Sequence, residues 1–434
     1  ARVAAWNGRH ADQARATLEL LPLPSGVDAR AALFATEGTA TDLVWTDLTE
    51  VSALALQHRL AGLTERVRRD RYDLKRFMPV ALQPGFGPDG ALYALPEEVT
   101  ARQVYFNRDH FEAAGIDFRK AGFDFERPAI TWEALRRVNL DLAAAPRPAG
   151  RLPFSVGHDG APLELWGWQN GAQWLADGGR RATFDRPEHV EALSWLVAHA
   201  RELGGGEHST IADAFPPVAR AGDATDDPRR HPFLQSAVST CFESTRLAST
   251  IAGWHAGFPL GYVEPPRRAA GKPLVSWSRS WGYALSTEAP DTAWEVLRFL
   301  VSDEAALADA AATAALARVA EAPDPTTSPP RYPGPAAGRP LWYPPFTGQL
   351  EIDRRLAETY RIGSKLLDEA RDHGLEQLRH ARFRLPCPVP HHVWPFLGQA
   401  RRLALRGTMT PEQALAAAQQ EAQVHLDAAW RDAR

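Results

Sequence analysis

The stretch 92-LYALPEEVTARQVYFNRDHFEAAGI-116 decides how the chain is organised. It follows a turn, Pro84-Gly85-Phe86-Gly87-Pro88-Asp89-Gly90, and opens with a short extended run ending at Pro96. A strand is predicted over 101–106. Asn107, Arg108 and Asp109 then make a helix cap before His110-Phe111-Glu112-Ala113-Ala114, and Gly115 stands just past the helix end. An extended run that continues into a second strand and a capped helix suits a chain passing from one packing unit to another. The adjacent carboxylates Glu97 and Glu98 stand at that passage.

Outward from the crossing, strand and helix signals alternate. Residues 3–6, 17–21 and 42–46 are predicted strands, and helical spacing follows the later two. Leu48, Val51, Leu54, Ala55 and Leu56 fall on one helical stripe in a helix over 48–60 that Gly62 stops. This βαβ rhythm predicts an α/β chain, mainly parallel sheets flanked by helices. Helices are also predicted over 132–145, with Thr131 as N-cap, and over 163–176, 187–203, 351–380, 393–406 and 411–430, the last with Pro411 at its first position. Further strands are predicted at 237–242 and 275–285. The segments 204–232 and 322–345, rich in Gly and Pro, read as surface loops.

At 434 residues the chain exceeds one ordinary core, and two lobes are expected. A formal charge of −4 with no basic run argues against a nucleic-acid or anionic-membrane footprint. No window approaches 18 consecutive apolar residues, so no spanning helix is expected. Val3-Ala4-Ala5-Trp6 reads as a strand directly after Ala1, which suits a chain whose upstream segment has been removed. Cys241 and Cys387 match no zinc spacing; they are expected as two buried small apolar residues, with a disulfide as the alternative in an oxidising compartment. The chain has no nucleophile elbow, phosphate-binding loop, zinc-protease helix or dinucleotide fingerprint, so no enzyme, cofactor or metal is expected. His391 and His392 are adjacent, a poor spacing for a shared metal on a helix, and read as an ordinary pair beside a helix start.

Residues 92–116, with their Tyr-x-Leu-Pro turn, aromatic-aromatic-Asn strand end and Ala-Gly-Ile helix end, resemble the hallmark of family 1 extracellular solute-binding proteins, the maltose-binding-like receptors of bacterial importers. Further pieces resemble that family in its order: Asp42-Leu43-Val44-Trp45 with 51–63, then 169-QNGAQWLADGG-179, 292-TAWEVLRFLVSDEA-305 and the tail 390–422. The resemblance covers nearly the whole chain. It implies a two-lobed fold of discontinuous lobes, residues 1–100 with 281–320 and residues 101–280 with 321–434, with a ligand cleft between them. It also implies hinge strands at 99–104, 275–281 and the approach to 322. The implied function is capture of a mono- or oligosaccharide outside the cytoplasm, periplasmic or lipid-anchored, by a monomer that delivers it to the membrane permease of an ABC transporter. Two departures stand out. The first strand and helix are compressed, and Ser280-Trp281-Gly282-Tyr283 replaces the two glycines usual in the family, which should narrow the cleft.

Sugar binding needs flat apolar surface for C–H faces and charged or amide groups for paired hydroxyl bonds. Trp45, Asp47 and Glu50 lie at or after the end of a predicted strand. Trp166 and Trp168 stand at a helix start where the resemblance implies aromatics. Trp277, Arg279, Trp281 and Tyr283 lie on the second crossing strand, and Trp394 matches the family's C-terminal stacking aromatic. By contrast Trp132, Trp195, Trp294 and Trp430 fall in helical stripes and are expected in the core. Neighbours on a strand face opposite ways, so Glu97 and Glu98 should not act together; Glu98 is the expected hydroxyl acceptor, with Thr100 and Arg102 on its face, against the alternative of a solvated carboxylate. Glu243 and Arg246 end another strand and, with Arg279 and Arg384, admit an anionic sugar, although a surface ion pair is the commoner fate of such arginines. The rival function is a polysaccharide hydrolase using Glu98 and Glu243.

Overall fold

The computed structural model describes residues 1–10, 15–18, 41–124, 126, 130–148, 151–155, 162–203, 231–254, 258–316 and 342–432. Its strands are β1 (Leu43–Asp47), β2 (Ala94–Thr100), β3 (Arg102–Asn107), β4 (Leu152–Ser155), β5 (Leu175–Ala176), β6 (Arg181–Ala182), β7 (Val238–Ser244), β8 (Leu260–Val263), β9 (Ser276–Trp277), β10 (Arg279–Leu285) and β11 (Ala381–Arg382). One sheet has the order β1-β10-β2 and the other β4-β7-β3-β8. Strands β2 and β3 are separated by Ala101 alone, so the chain leaves the first sheet and enters the second inside the 92–116 stretch. Ser278 separates β10 from β9, which pairs with β11 in a two-stranded sheet of its own.

A strand that returns beside an outgoing one must run antiparallel to it, and β10 pairs antiparallel with both β2 and β1. In the two sheets the parallel pairing predicted from the strand and helix alternation is found at β4 with β7; β9 with β11 adds a short parallel pair, and β3 with β7 and β8 is antiparallel.

Each sheet has its own helices and core. Against the first, Trp294 and Leu297 pack on Leu92, Leu95 and Leu285, while Trp6 packs on Phe299, Leu300 and Ala305. Residues 3–6, predicted as a strand, belong to a helix, Arg2–Arg9, whose buried residues Arg2 and Trp6 are four apart, the period of a helix face. Against the second sheet, helices Trp132–Ala144, Leu163–Gln169, Pro187–Glu202, Pro390–Leu405 and Pro411–Asp432 enclose Val104, Phe106 and Phe242. Asn107 accepts from the N–H of Asp109 and of His110, and Thr131 from that of Ala134, so both expected caps are present.

Three predicted helices are shorter than their spacing suggests. The stretch 48–60 is a 3-10 turn, Leu48–Glu50, followed by helix Val51–Leu56. Helix Leu163–Gln169 ends before Gly171, whose φ of +88° turns the chain toward β5. The run 351–380 is split into Leu350–Thr359 and Lys365–Gln377 by a turn in which Gly363 has φ +83°. The first of these packs Ile352 and Leu356 on Ala306 and Ala310 of helix Asp303–Leu316, and the second packs Leu367 and Ala370 with Tyr105 and Tyr262 of the second sheet. Cys241 and Cys387 are both buried and free, in separate core clusters, so the disulfide alternative is not realised. The larger part of both predicted loops, and residues 19–21 of the predicted strand 17–21, lie outside the described residues.

Candidate functional site

The register of the crossing strands builds the site. Trp281 pairs with Asp47 on one side and Glu98 on the other, and Tyr283 pairs with Trp45. Because the next pair is Gly282 with Pro96, Glu97 has no cross-strand partner and bulges from β2. A Cβ on Gly282 would stand 2.1 Å from the Leu95 carbonyl oxygen, so this close approach requires glycine. The bulge re-aims Glu97 toward Trp45, whose indole N–H donates to its Oε2 at 2.9 Å, while Arg2 pairs with its Oε1 at 2.7 Å.

Trp45 is 49 % exposed, the largest exposure of any aromatic on this sheet. Its ring lies parallel to that of Trp281, with centroids 6.5 Å apart and an interplanar angle of 8°. The guanidinium of Arg279 lies 5.1 Å from the Trp281 ring and pairs with Asp47 at 2.9 Å. Burial alone would raise the Asp47 carboxyl; Arg279 and two donors from Thr49 outweigh it and hold it below its ordinary value. The Thr100 hydroxyl reaches the Arg279 carbonyl at 3.4 Å, and Arg246 pairs with Glu98 at 3.4 Å.

A second group of polar and aromatic residues faces from the other lobe. Arg384 pairs with buried Glu164 at 2.7 Å and lies 5.8 Å from the ring of Trp277 and 5.4 Å from that of Trp394. Arg102 covers Trp277 at 4.8 Å and pairs with Glu243 at 3.2 Å. Glu50, at the end of the 3-10 turn after β1, meets His391 at the start of helix Pro390–Leu405, joining the two groups.

Of the residues expected at the site, Trp45, Asp47, Glu98, Thr100, Arg246, Arg279 and Trp281 come together around the crossing strands. Glu243, Trp277, Arg384 and Trp394 form the second group, and Glu50 bridges to it; Trp277 and Trp394 are themselves buried in the core of the second sheet, so neither offers the open ring face expected of a stacking aromatic. Three do not join them. Trp166 is fully buried among Trp132, Trp195 and Phe242, and Trp168 belongs to the same core, because the helix that carries them is enclosed on every side. Tyr283 packs toward Trp6 and Phe299, and burial raises its phenol pKa. Trp132 and Trp294 are core as expected, and Trp195 and Trp430 pack against it. The residues that sequence reasoning missed are Glu97, Glu164 and His391; Arg102, expected on the face of Glu98, pairs with Glu243. Gly282 opposite the adjacent glutamates was the available sign of the bulge. Nothing in the spacing placed Glu164 beside Arg384, a separation of 220 residues.

No family model matches the chain. Solved structures do. An ABC substrate-binding protein from Listeria monocytogenes in complex with cycloalternan superposes with a TM-score of 0.70 at 16% identity, over 98% of this chain and 95% of that one. The cyclic alpha-maltosyl-1,6-maltose binding protein of Arthrobacter globiformis gives 0.68 at 17% identity, over 98% and 94%. Maltose-bound MalE3 of T. maritima gives 0.66 at 16% identity, over 98% and 95%. With near-complete coverage in both directions, the chain has the two-lobed fold of the maltose-binding-like ABC substrate-binding proteins.

Proposed function

We propose that the chain is the extracytoplasmic substrate-binding component of an ABC importer, a monomer that takes an uncharged mono- or oligosaccharide between its lobes and presents it to a membrane permease. The observation that carries this reading is the half-exposed Trp45 ring set parallel to Trp281 beside the carboxylates of Asp47, Glu97 and Glu98. Stacked indoles take the C–H face of a sugar, and a carboxylate with two lone pairs on each oxygen can accept a hydroxyl beside the donors that it already holds. The solved structures of similar fold whose names state a bound carbohydrate, cycloalternan and maltose among them, support the same reading.

The charges favour a neutral ligand over the anionic one that the sequence admitted. Arg246, Arg279 and Arg384 are paired with Glu98, Asp47 and Glu164, and Arg102 with Glu243. An anionic sugar would set its charge beside the carboxylate that each guanidinium already holds, and that repulsion offsets part of the attraction. A hydroxyl displaces only water. Such pairing also argues against hydrolysis by Glu98 and Glu243, since Glu243 is 3 % exposed and closed in by Arg102. For the lobes, the division into 1–100 with 281–320 and 101–280 with 321–434 is proposed with one change. Helix Leu350–Thr359 goes with the first lobe, on which it packs. Periplasmic and surface-anchored placements both suit a receptor of this kind.

Calorimetric titration with maltose, mannotriose, cycloalternan, a uronate and a sugar phosphate tests the reading. Binding of a neutral sugar without turnover is expected. Binding of the charged sugars alone, release of product from a chromogenic glycoside, or no heat from any of them at millimolar concentration would overturn it.

A further inference from the structure

Trp45 carries the reading above, and packing alone does not hold its ring. About half of the ring faces solvent, and a side chain standing out from a strand has more than one open rotamer. Two contacts hold it in place. The ring of Trp281 lies parallel, with centroids 6.5 Å apart, and the indole N–H donates to Glu97 Oε2 at 2.9 Å. A ring contact leaves room to slide, whereas a hydrogen bond of this length is directional, so the position of Glu97 sets the edge of the ring.

Strand pairing does not fix Glu97, because it is the bulged residue of β2. It is nevertheless buried, and a buried carboxylate needs a partner. That partner is Arg2, whose Nη2 lies 2.7 Å from Oε1. Arg2 is itself buried; its Nη1 donates to the Leu300 carbonyl, and its Nε lies 3.8 Å from Asp309 Oδ2. Helices Arg2–Arg9, Asp291–Leu300 and Asp303–Leu316 thus meet Glu97 through one guanidinium. By contrast Asp47 and Glu98 are paired with Arg279 and Arg246, whose side chains are partly exposed.

We propose that Arg2 is a positioning residue: it holds Glu97, and through Glu97 it sets the orientation of the Trp45 ring on which a sugar stacks. Without the guanidinium, Glu97 either turns toward water or takes up a proton. In both cases its bond to the indole weakens, since a hydrogen bond to an ionised acceptor is about twice as strong as a neutral one. The ring then samples other rotamers, and a ligand has to order it on binding. The inference rests on the reading of Trp45 as a ligand surface.

NMR of the isotope-labelled whole chain reads the ring without ligand: the Trp45 indole N–H signal is the one absent from W45A. R2M should move that signal toward the position of a solvent-bonded indole, and R2K, which keeps a cation beside Glu97, should restore it. R2Q keeps a donor for the Leu300 carbonyl and loses only the charge, so it reports where R2M folds poorly. Calorimetric titration with maltose and mannotriose reads the ligand. R2M should weaken Kd by up to the roughly tenfold that loss of the ring itself brings, and should have no further effect in the W45A background. A Trp45 signal unmoved in R2M and R2Q, or a loss of affinity that persists undiminished in the W45A background, would make Arg2 a plain ion pair of the fold and overturn the proposal. No heat from either sugar with the parent would remove the functional reading and with it the ligand half of this one, while the indole signal would still decide whether Arg2 sets the ring.

Discussion

Replacing Trp45 with Ala separates a stacking surface from a packing one. The ring is 49 % exposed, so of the roughly 250 Å² that a tryptophan can bury, about 120 Å² faces solvent. A sugar ring covering half of that removes about 60 Å² from water, and at about 25 cal/mol per Å² this contributes about 1.5 kcal/mol, or about tenfold in Kd. The buried half of the ring makes the 2.9 Å bond to Glu97 and the parallel contact with Trp281, so the variant should also lose about 1 to 2 kcal/mol of stability. Trp166→Ala supplies the contrast. Its ring is fully buried, and truncation should cost about 3 to 5 kcal/mol of stability with affinity unchanged in the fraction that remains folded. Calorimetric Kd values for a sugar that the parent binds, taken with urea unfolding curves of both variants, decide the matter. An unchanged Kd in Trp45→Ala would refute the assignment of that ring to the ligand.

Three further outcomes follow from the geometry. Burial lowers His110, His189 and His373 to about 4, so the unfolded chain binds more protons than the folded one below its own value near 6.5. Stability should be full above that value and fall as the pH drops from about 6.5 toward 4, by roughly 4 kcal/mol for the three together at pH 5.5; urea curves differing by under about 1 kcal/mol between pH 7.5 and 5.5 would count against it. Arg102→Ala strands Glu243 at 3 % exposure and should cost about 3 to 5 kcal/mol in a urea melt, with part recovered by adding Glu243→Gln; a loss that the second change does not reduce would show that the pair is not the cause. Gly282→Ala drives a methyl into the Leu95 carbonyl and should lower stability by about 1 to 3 kcal/mol or close the bulge, moving Glu97 off Trp45; a melting temperature and tryptophan fluorescence equal to the parent would contradict it.

The crossing strands were legible because their signals are local. A proline turn, an alternating run, an asparagine cap and a glycine stop all lie within 92–116, and each acts on its near neighbours. The helix at Arg2–Arg9 was misread because four residues of mixed apolar character fit a strand as well as a helix; the buried pair Arg2 and Trp6, four apart, distinguishes the two only once the partner surface is known. Trp166 and Trp281 show the limit for the site. Both are tryptophans at positions marked by resemblance, yet one is on a helix enclosed by Trp132 and Trp195 and the other on a strand that faces Trp45. Exposure depends on what packs above a residue, and here that comes from Trp132 and Trp195, about 30 positions from Trp166, and from Trp45, more than 200 positions from Trp281. The same holds for Glu97. Strict alternation assigned the adjacent carboxylates to opposite faces and favoured Glu98, and a one-residue bulge gave Glu97 the aromatic partner.

These pairings bear on how a ligand gains affinity. In the described site Arg102, Arg246, Arg279 and Arg384 are each held by a carboxylate, and Arg279 and Arg384 also lie against tryptophan rings. A ligand therefore meets acceptors that are already oriented, and binding does not have to order long side chains, each of which would cost about 0.5 to 1.5 kcal/mol. On the proposed division of the lobes, Glu50 with His391 and Glu98 with Arg246 are exceptions, because each contact joins groups carried by different lobes and would break if these part. Opening would then expose a carboxylate and an imidazole to water, and a ligand that reached Glu50 would compete with His391 for it. Affinity in the proposed cleft would depend on the lobes as much as on the sugar, since contacts between the lobes are partly those that a ligand would use.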